Sequence, residues 1–230
     1  MGKNLGLAKH VVKGNFVWAL PTMKADSGGM KVLALVVNDW QLAGVVTAGS
    51  GARYTPTFSY NSNGASVNLT GSPTYPARIV ITGDTGSGCA GDQYRQFNTG
   101  AFAGPQPGSV GLESGFNYMV GCPDHTVDLA LQRSFRAGGA RRLTLRLDAF
   151  NAFNAVVFNG RQTQLQLNSP TDLTIRNPQF VAAPGNTTLA PGVEGNVLNS
   201  ARLAPKDAGF GAATGAQNMR NLQLQIRFQF

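Results

Sequence analysis

The chain has 230 residues, of which only 13% are charged, and 29 are glycine. Charge at about half the soluble average, with Gly, Asn, Gln, Ser and Thr filling the surface, excludes a helical bundle or coiled coil and favours an all-β fold. The net charge of +8 comes from scattered Lys and Arg with no basic run interleaved with aromatics, which excludes nucleic acid as a partner.

The first strand signal is His10 to Leu20, H-V-V-K-G-N-F-V-W-A-L, with Val12, Phe16, Trp18 and Leu20 on one parity and Lys13 and Asn15 on the other. Pro21 stops it. A polar connection, Thr22 to Met30, leads to Lys31–Val37, a short helix or the foot of the next strand. The longest apolar run, Val32 to Val37, falls far below the ~20 residues of a spanning helix. Trp40 to Ser50 is a second strand, with Trp40, Leu42, Val46 and Ala48 in phase and the alternation weakened at Gly44 and Val45.

From Gly51 to about His125 no periodicity persists, apart from short β-prone pieces such as Arg78 to Thr82. Thr126 to Phe135 alternates again, with Val127, Leu129, Leu131 and Phe135 opposite Thr126, Asp128, Gln132 and Ser134; Arg133 interrupts the apolar face. R-A-G-G-A-R, Arg136 to Arg141, is a tight turn whose glycines supply positive φ. Leu143 to Phe153 completes the hairpin, with Leu143, Leu145, Leu147 and Ala149 opposite Thr144, Arg146 and Asp148. A second irregular stretch, about Asn154 to Gln217, follows, with Gln162 to Asn168 extending a strand into it.

The chain closes on Asn221 to Phe230, N-L-Q-L-Q-I-R-F-Q-F, where Leu222, Leu224, Ile226, Phe228 and Phe230 share one parity and every residue between them is polar. Such a strand suits a soluble sandwich, with its oily side on a core, or a membrane barrel, with that side in lipid. The connections favour the barrel, because they alternate short and long as periplasmic turns and extracellular loops do.

In that frame Leu129, Leu131, Leu145, Leu147, Leu222, Leu224, Ile226 and Phe228 face lipid. Trp18, Trp40, Phe135, Phe228 and Phe230 gather at the periplasmic end as an aromatic girdle, while Phe150, Phe153 and Phe158 lie near the outer rim. Arg133, close to the turn, snorkels to the interface. Lys13, Asp128, Arg146, Asp148 and Arg227 point inward, as a hydrated wall or as contacts to a plug or solute.

Cys89 and Cys122 sit in Gly-rich segments without metal-ligand spacing; they either staple a long exterior loop as a disulfide or stand as two separate thiols. D-T-G-S at Asp84 lacks the second carboxylate that an aspartic-protease site needs, and Gly86 to Gly91 spells G-x-G-x-x-G without a following helix. Pro123 lies between Cys122 and His125, which argues against a catalytic pair. No enzyme activity and no cofactor or metal are expected. The N-terminus lacks the apolar core of a secretory signal, so an export signal is expected upstream of Met1.

Five ordered segments carry a resemblance: D-W-Q-L-A-G-V-V-T-A-G-S-G (Asp39 to Gly51), Q-F-N-T-G-A-F (Gln96 to Phe102), D-L-A-L-Q-R-S-F (Asp128 to Phe135), L-R-L-D-A-F-N-A-F-N (Leu145 to Asn154) and the terminal L-Q-I-R-F-Q-F. Together they resemble the C-terminal barrel region of TonB-dependent outer-membrane receptors, the group with an N-terminal carboxypeptidase-regulatory-like domain. The resemblance implies an antiparallel up-and-down sheet forming part of a transmembrane barrel, with two long irregular exterior loops, and placement in the bacterial outer membrane. It implies residues 1–230 as the terminal strands of a larger transporter whose plug and remaining strands are absent here. Through that parent the partners would be lipid, the rest of the barrel and plug, TonB, the barrel-assembly machinery reading Phe230, and an unknown solute. The rival reading is a secreted β-sandwich binding module.

Overall fold

The structure, a computed structural model, describes residues 8–24, 27–61, 67–136, 138–139 and 141–230. In chain order the elements are β1 (Val11–Ala19), α1 (Gly28–Val37), β2 (Trp40–Gly49), β3 (Arg53–Tyr54), β4 (Thr57–Tyr60), β5 (Val80–Ile81), β6 (Phe102–Ala103), β7 (Met119–Val120), β8 (Asp124–Arg136), β9 (Arg142–Phe150), β10 (Phe158–Arg161), β11 (Gln164–Leu167), β12 (Phe180–Val181), β13 (Val197–Leu198), β14 (Ala213–Ala216) and β15 (Asn221–Gln229). They fall into two compact units. One holds His10–Gly49, Asp124–Val156 and Asn218–Phe230; the other is built on Ser50–Pro123 and Val157–Gln217.

The first unit is a five-stranded antiparallel sheet in the order β1-β2-β8-β9-β15. Residues directly opposite one another in such a ladder share a face, so the register tests the parity of all five strands together. Trp18, Leu42, Leu131, Leu147 and Leu224 form one unbroken row, and Phe16, Gly44, Leu129, Ala149 and Leu222 form the next. The other face carries rows such as Ala19, Gln41, Gln132, Arg146 and Gln225. The weak alternation at Gly44 has a packing reason. A Cβ there would stand 2.4 Å from Phe16 Cε1, so the ring lies where a side chain would have been.

In the β8–β9 turn Gly138 and Gly139 take φ of 86° and 60°, while Ala137 and Ala140 lie outside the described residues. Strand β9 stops at Phe150, three residues short of the expected Phe153, because Asn151 enters the left-handed region at φ 48°. Its backbone N–H donates to Asp128 Oδ1 (2.8 Å), and its amide donates to the carbonyls of Ala155 and Asn218 (both 3.0 Å). The D-A-F-N-A-F-N segment thereby ends one strand and fixes the entry to β15, helped by Asn154 Oδ1 accepting from the Arg220 N–H (3.1 Å).

Residues 31–37 resolve into the helix rather than a strand foot. Asn38 terminates it, donating its N–H to Ala34 O (3.0 Å) while its side chain exchanges two hydrogen bonds with the backbone of Met23 (2.7 and 2.9 Å). Asp39, at φ 64°, turns the chain into β2.

The second unit contains the two stretches without periodicity. They share a core of Ile79, Phe97, Ala101, Phe102, Met119, Leu165, Leu167 and Phe210. The rings of Phe97, Phe102 and Phe210 meet edge to face in a closed triangle with centroids 5.2 to 5.6 Å apart. Gln162 to Asn168 does not prolong a sheet strand as expected. Instead β11 pairs in parallel with β4, joining the two stretches. With so little regular ladder, buried backbone groups need other partners. Four buried amides supply them: Gln96 donates to Ala90 O and Asp92 O (both 2.8 Å). Asn177 bridges Gln164 O and the Gln166 N–H (both 2.9 Å). Gln179 joins Arg202 O to the Gly209 N–H, and Asn199 joins Pro178 O to the Ala201 N–H. A Cβ at Gly51 would stand 1.7 Å from the Gly121 carbonyl oxygen, so only glycine lets the two ends of the first stretch pass.

Candidate functional site

The site that the sequence singles out is a surface, the apolar face of the sheet. Leu224 and Ile226 are 70% and 65% exposed, so no protein layer covers them, as a sandwich would require. Leu147, Leu222 and Phe228 are exposed as well, and Phe230 almost wholly so, with its ring 6.2 Å from that of Phe228. Leu129, Leu131 and Leu145 are half-buried among neighbouring side chains. The register gathers Trp18, Trp40, Phe135 and Phe228 at one end of the sheet, the end that bears the β8–β9 turn.

Arg133 corrects the expectation of a snorkelling side chain. It is only 5% exposed. Its guanidinium lies 4.3 Å from the ring centroid of Phe135 and 5.5 Å from that of Trp40, and Nη1 donates to the Val36 carbonyl (2.7 Å). Trp40 Nε1 donates to the same oxygen (2.9 Å). Val36 lies in the last turn of α1, where carbonyls lack intrahelical partners and a cation is favourable. One charge on the apolar face is thus answered by one helix end, a partner that strand periodicity alone gives no sign of.

On the polar face Arg146 and Asp148 pair with each other, with Nη2 2.8 Å and Nε 2.9 Å from Oδ1. Gln41 and Gln132 share a hydrogen bond, as do Ser134 and Thr144 (3.0 Å). Asp128 is occupied by Asn151. Most of these groups therefore pair within the polar face, while Lys13 and Arg227 stand exposed on it.

In the second unit Cys89 and Cys122 are joined as a disulfide with Cα atoms 4.8 Å apart. Neither is available as a nucleophile, so Cys122 and His125 form no catalytic pair. Arg161 packs beside the disulfide. Its Nη2 donates to Phe158 O (3.0 Å) and lies 2.8 Å from Cys122 Sγ, and its guanidinium sits over Tyr54 at 5.4 Å. Burial lowers the Arg161 pKa and pushes the Tyr54 phenol up to about 12, against the pull of Arg161; Tyr54 donates to Gly88 O (2.8 Å). The arrangement is a joint tying β3, β10 and the disulfide loop. Asp84 of D-T-G-S caps its own turn, with Oδ1 accepting from the Gly86 N–H (2.9 Å).

Q-F-N-T-G-A-F is likewise architectural. Gln96 and Phe97 are buried, and Asn98 caps the 3-10 turn Thr99–Ala101. A cavity of about 100 Å³ lined by Tyr94, Phe158, Arg202 and Pro205 is smaller than the ~300 Å³ at which small-molecule sites begin, whereas a hollow of about 370 Å³ lined by Phe58, Leu69, Pro73 and Pro76 exceeds it. Among the described residues no three His, Cys, Asp or Glu side chains cluster as metal ligands. No helix there is long and apolar enough to cross a membrane, which says nothing of crossing by strands.

Comparison with known proteins agrees with the exposed face. The family described as outer membrane beta barrel domain matches residues 3–223, nearly the whole chain. No curated protein and no solved structure matches it. An all-β chain whose antiparallel sheet turns an uncovered apolar face outward, matched over almost all its length, belongs to the outer membrane β-barrel domain family and resides in the bacterial outer membrane.

Proposed function

We propose that the chain supplies the C-terminal strands of the barrel of a TonB-dependent outer-membrane receptor and serves solute uptake as part of it, without chemistry of its own. The observation that carries the reading is the pair of sheet edges. Among the described residues β1 and β15 each have one neighbour, and five strands are fewer than the roughly eight of the smallest closed barrels. An unpaired strand edge in hydrocarbon costs several kcal/mol per unsatisfied group, so further strands are needed to seal both edges. The ordered segments from D-W-Q-L-A-G to L-Q-I-R-F-Q-F support this class of receptor in particular, with Phe230 as the residue read during assembly and the plug, TonB and the assembly machinery as partners of the parent. The second unit, braced by its disulfide and aromatic core, suits extracellular loops that hold their shape while a solute binds.

The reading frame upstream of Met1 tests this directly. It should encode an export signal, a TonB box, a plug and more alternating strands. A frame closed by a stop codon, with the 230-residue chain assembling alone in the outer membrane, would refute it. If the frame is there, solute uptake by cells expressing the parent should stop when TonB is deleted.

A further inference from the structure

The connection between β1 and β2 poses a problem that the barrel does not solve. α1 is apolar almost all round, with Lys31 its only charge between Gly28 and Val37. A helix of this kind normally lies in a core or in lipid. Here none of its residues is buried, and Met30, Val32, Leu33, Leu35, Val36 and Val37 are all exposed. It is not a loose excursion either. Asn38 clamps Met23 from both sides, the Leu20 N–H donates to Trp40 O (2.9 Å), and Arg133 and Trp40 both hold Val36 O. The two side chains that hold it belong to the apolar face of the sheet, at the girdle end. The exposed surface of the helix is therefore continuous with a face that meets lipid.

We infer that α1 is an in-plane membrane helix, lying at the boundary of headgroups and acyl chains in the periplasmic leaflet, with Lys31 reaching to the headgroups. This rests on the reading of the sheet's apolar face as lipid-facing. A helix of this kind buries its apolar side ~5–10 Å into the boundary region. It would widen the chain's footprint in the membrane on the side of the short turns, and it gives Arg133 a reason to sit on an apolar face. The guanidinium spends its charge on the helix end, and the two rings cover the rest.

The test uses a single introduced thiol, since both native cysteines are in the disulfide. Val32→Cys and Leu35→Cys, the most exposed apolar positions along the helix, are labelled with an environment-sensitive dye. The protein that carries this chain, with the strands that seal its two edges, is reconstituted in phosphatidylethanolamine–phosphatidylglycerol vesicles with or without brominated acyl chains. Leu224→Cys on β15 and Thr187→Cys on an exposed turn serve as references. Brominated chains should quench the helix labels by about half, as they do the Leu224 label, while the Thr187 label is unaffected. Helix labels that stay unquenched while Leu224 is quenched overturn the inference, whether their emission is water-like or that of a protein-covered site. If Leu224 also escapes quenching, the lipid-facing sheet is wrong and the inference falls with it.

Discussion

Replacing Leu224 with Arg separates a lipid-facing sheet from every alternative. Strand β15 has nine residues. At ~3.4 Å per residue it is ~30 Å long, and a tilt of ~40° reduces its depth to ~23 Å, close to the ~25 Å apolar band of a membrane barrel. Leu224 is its fourth residue, so the substitution places the guanidinium near the middle of that band, on the row formed by Leu147, Leu131, Leu42 and Trp18. At the midplane an outward Arg costs ~2–4 kcal/mol, a roughly 30- to 700-fold fall in the folded fraction ratio. In water the same change at a residue 70% exposed would stay within ~0.5 kcal/mol. The assay is urea unfolding, in phosphatidylcholine vesicles, of the protein that carries this chain together with the strands sealing its edges, read as a shift in midpoint at constant slope. Phe228→Arg, one residue from the strand end, should cost only ~0–1 kcal/mol, and Gln225→Ala on the opposite face close to nothing. Equal shifts for Leu224→Arg and Gln225→Ala, or no gradient from residue 224 to residue 228, would refute the assignment of faces.

Removing the disulfide with Cys89→Ser and Cys122→Ser releases a loop with a sequence separation of 33 and should destabilise the second unit by about 4 kcal/mol. Limited proteolysis between residues 89 and 122 checks this, and reduction of the native chain should reproduce it. Phe97→Ala opens a cavity where three rings and Tyr54 meet and should cost ~3–5 kcal/mol, seen as faster hydrogen exchange across residues 96–102. The phenols of Tyr54, Tyr60 and Tyr118 are pushed up to about 12, in each case first by burial. A phenol that ionises more readily unfolded than folded stabilises the fold below pH 10, and that contribution is lost as the pH rises to 12. Phenolate absorbance should therefore show these three phenols ionising only as the pH nears 12, and the midpoint of unfolding should fall across the same interval.

What the sequence shows and what it hides follow from how each unit buries its surface. A sheet with one face toward hydrocarbon must place an apolar side chain at every second residue, and β8, β9 and β15 are legible for that reason. The second unit has no long ladder. Its core is gathered from single residues far apart, Ile79, Phe97, Met119, Leu165 and Phe210, and no periodic window catches such a set. Its Asn and Gln residues read as loop polarity, yet Gln96, Asn177, Gln179 and Asn199 are among the most buried side chains, replacing the missing ladder with amide bridges. The clue was Q-F-N-T-G-A-F itself, in which two aromatics flank an Asn and a Gly as a capped turn requires.

Arg133 shows why a one-dimensional pattern goes wrong where two elements meet. By parity it is a charge on an oily face, and depth alone suggests that it reaches for water. Its partner, the Val36 carbonyl, exists only because a ten-residue, mostly apolar segment folds into a helix whose last turn leaves acceptors open. A buried guanidinium with a carbonyl and two aromatic faces loses far less than one left in hydrocarbon with none. The same contact ties down a helix that is too short and too exposed to hold its position unaided. The charge and the helix each violate the local rule of the element they belong to, and each supplies what the other lacks.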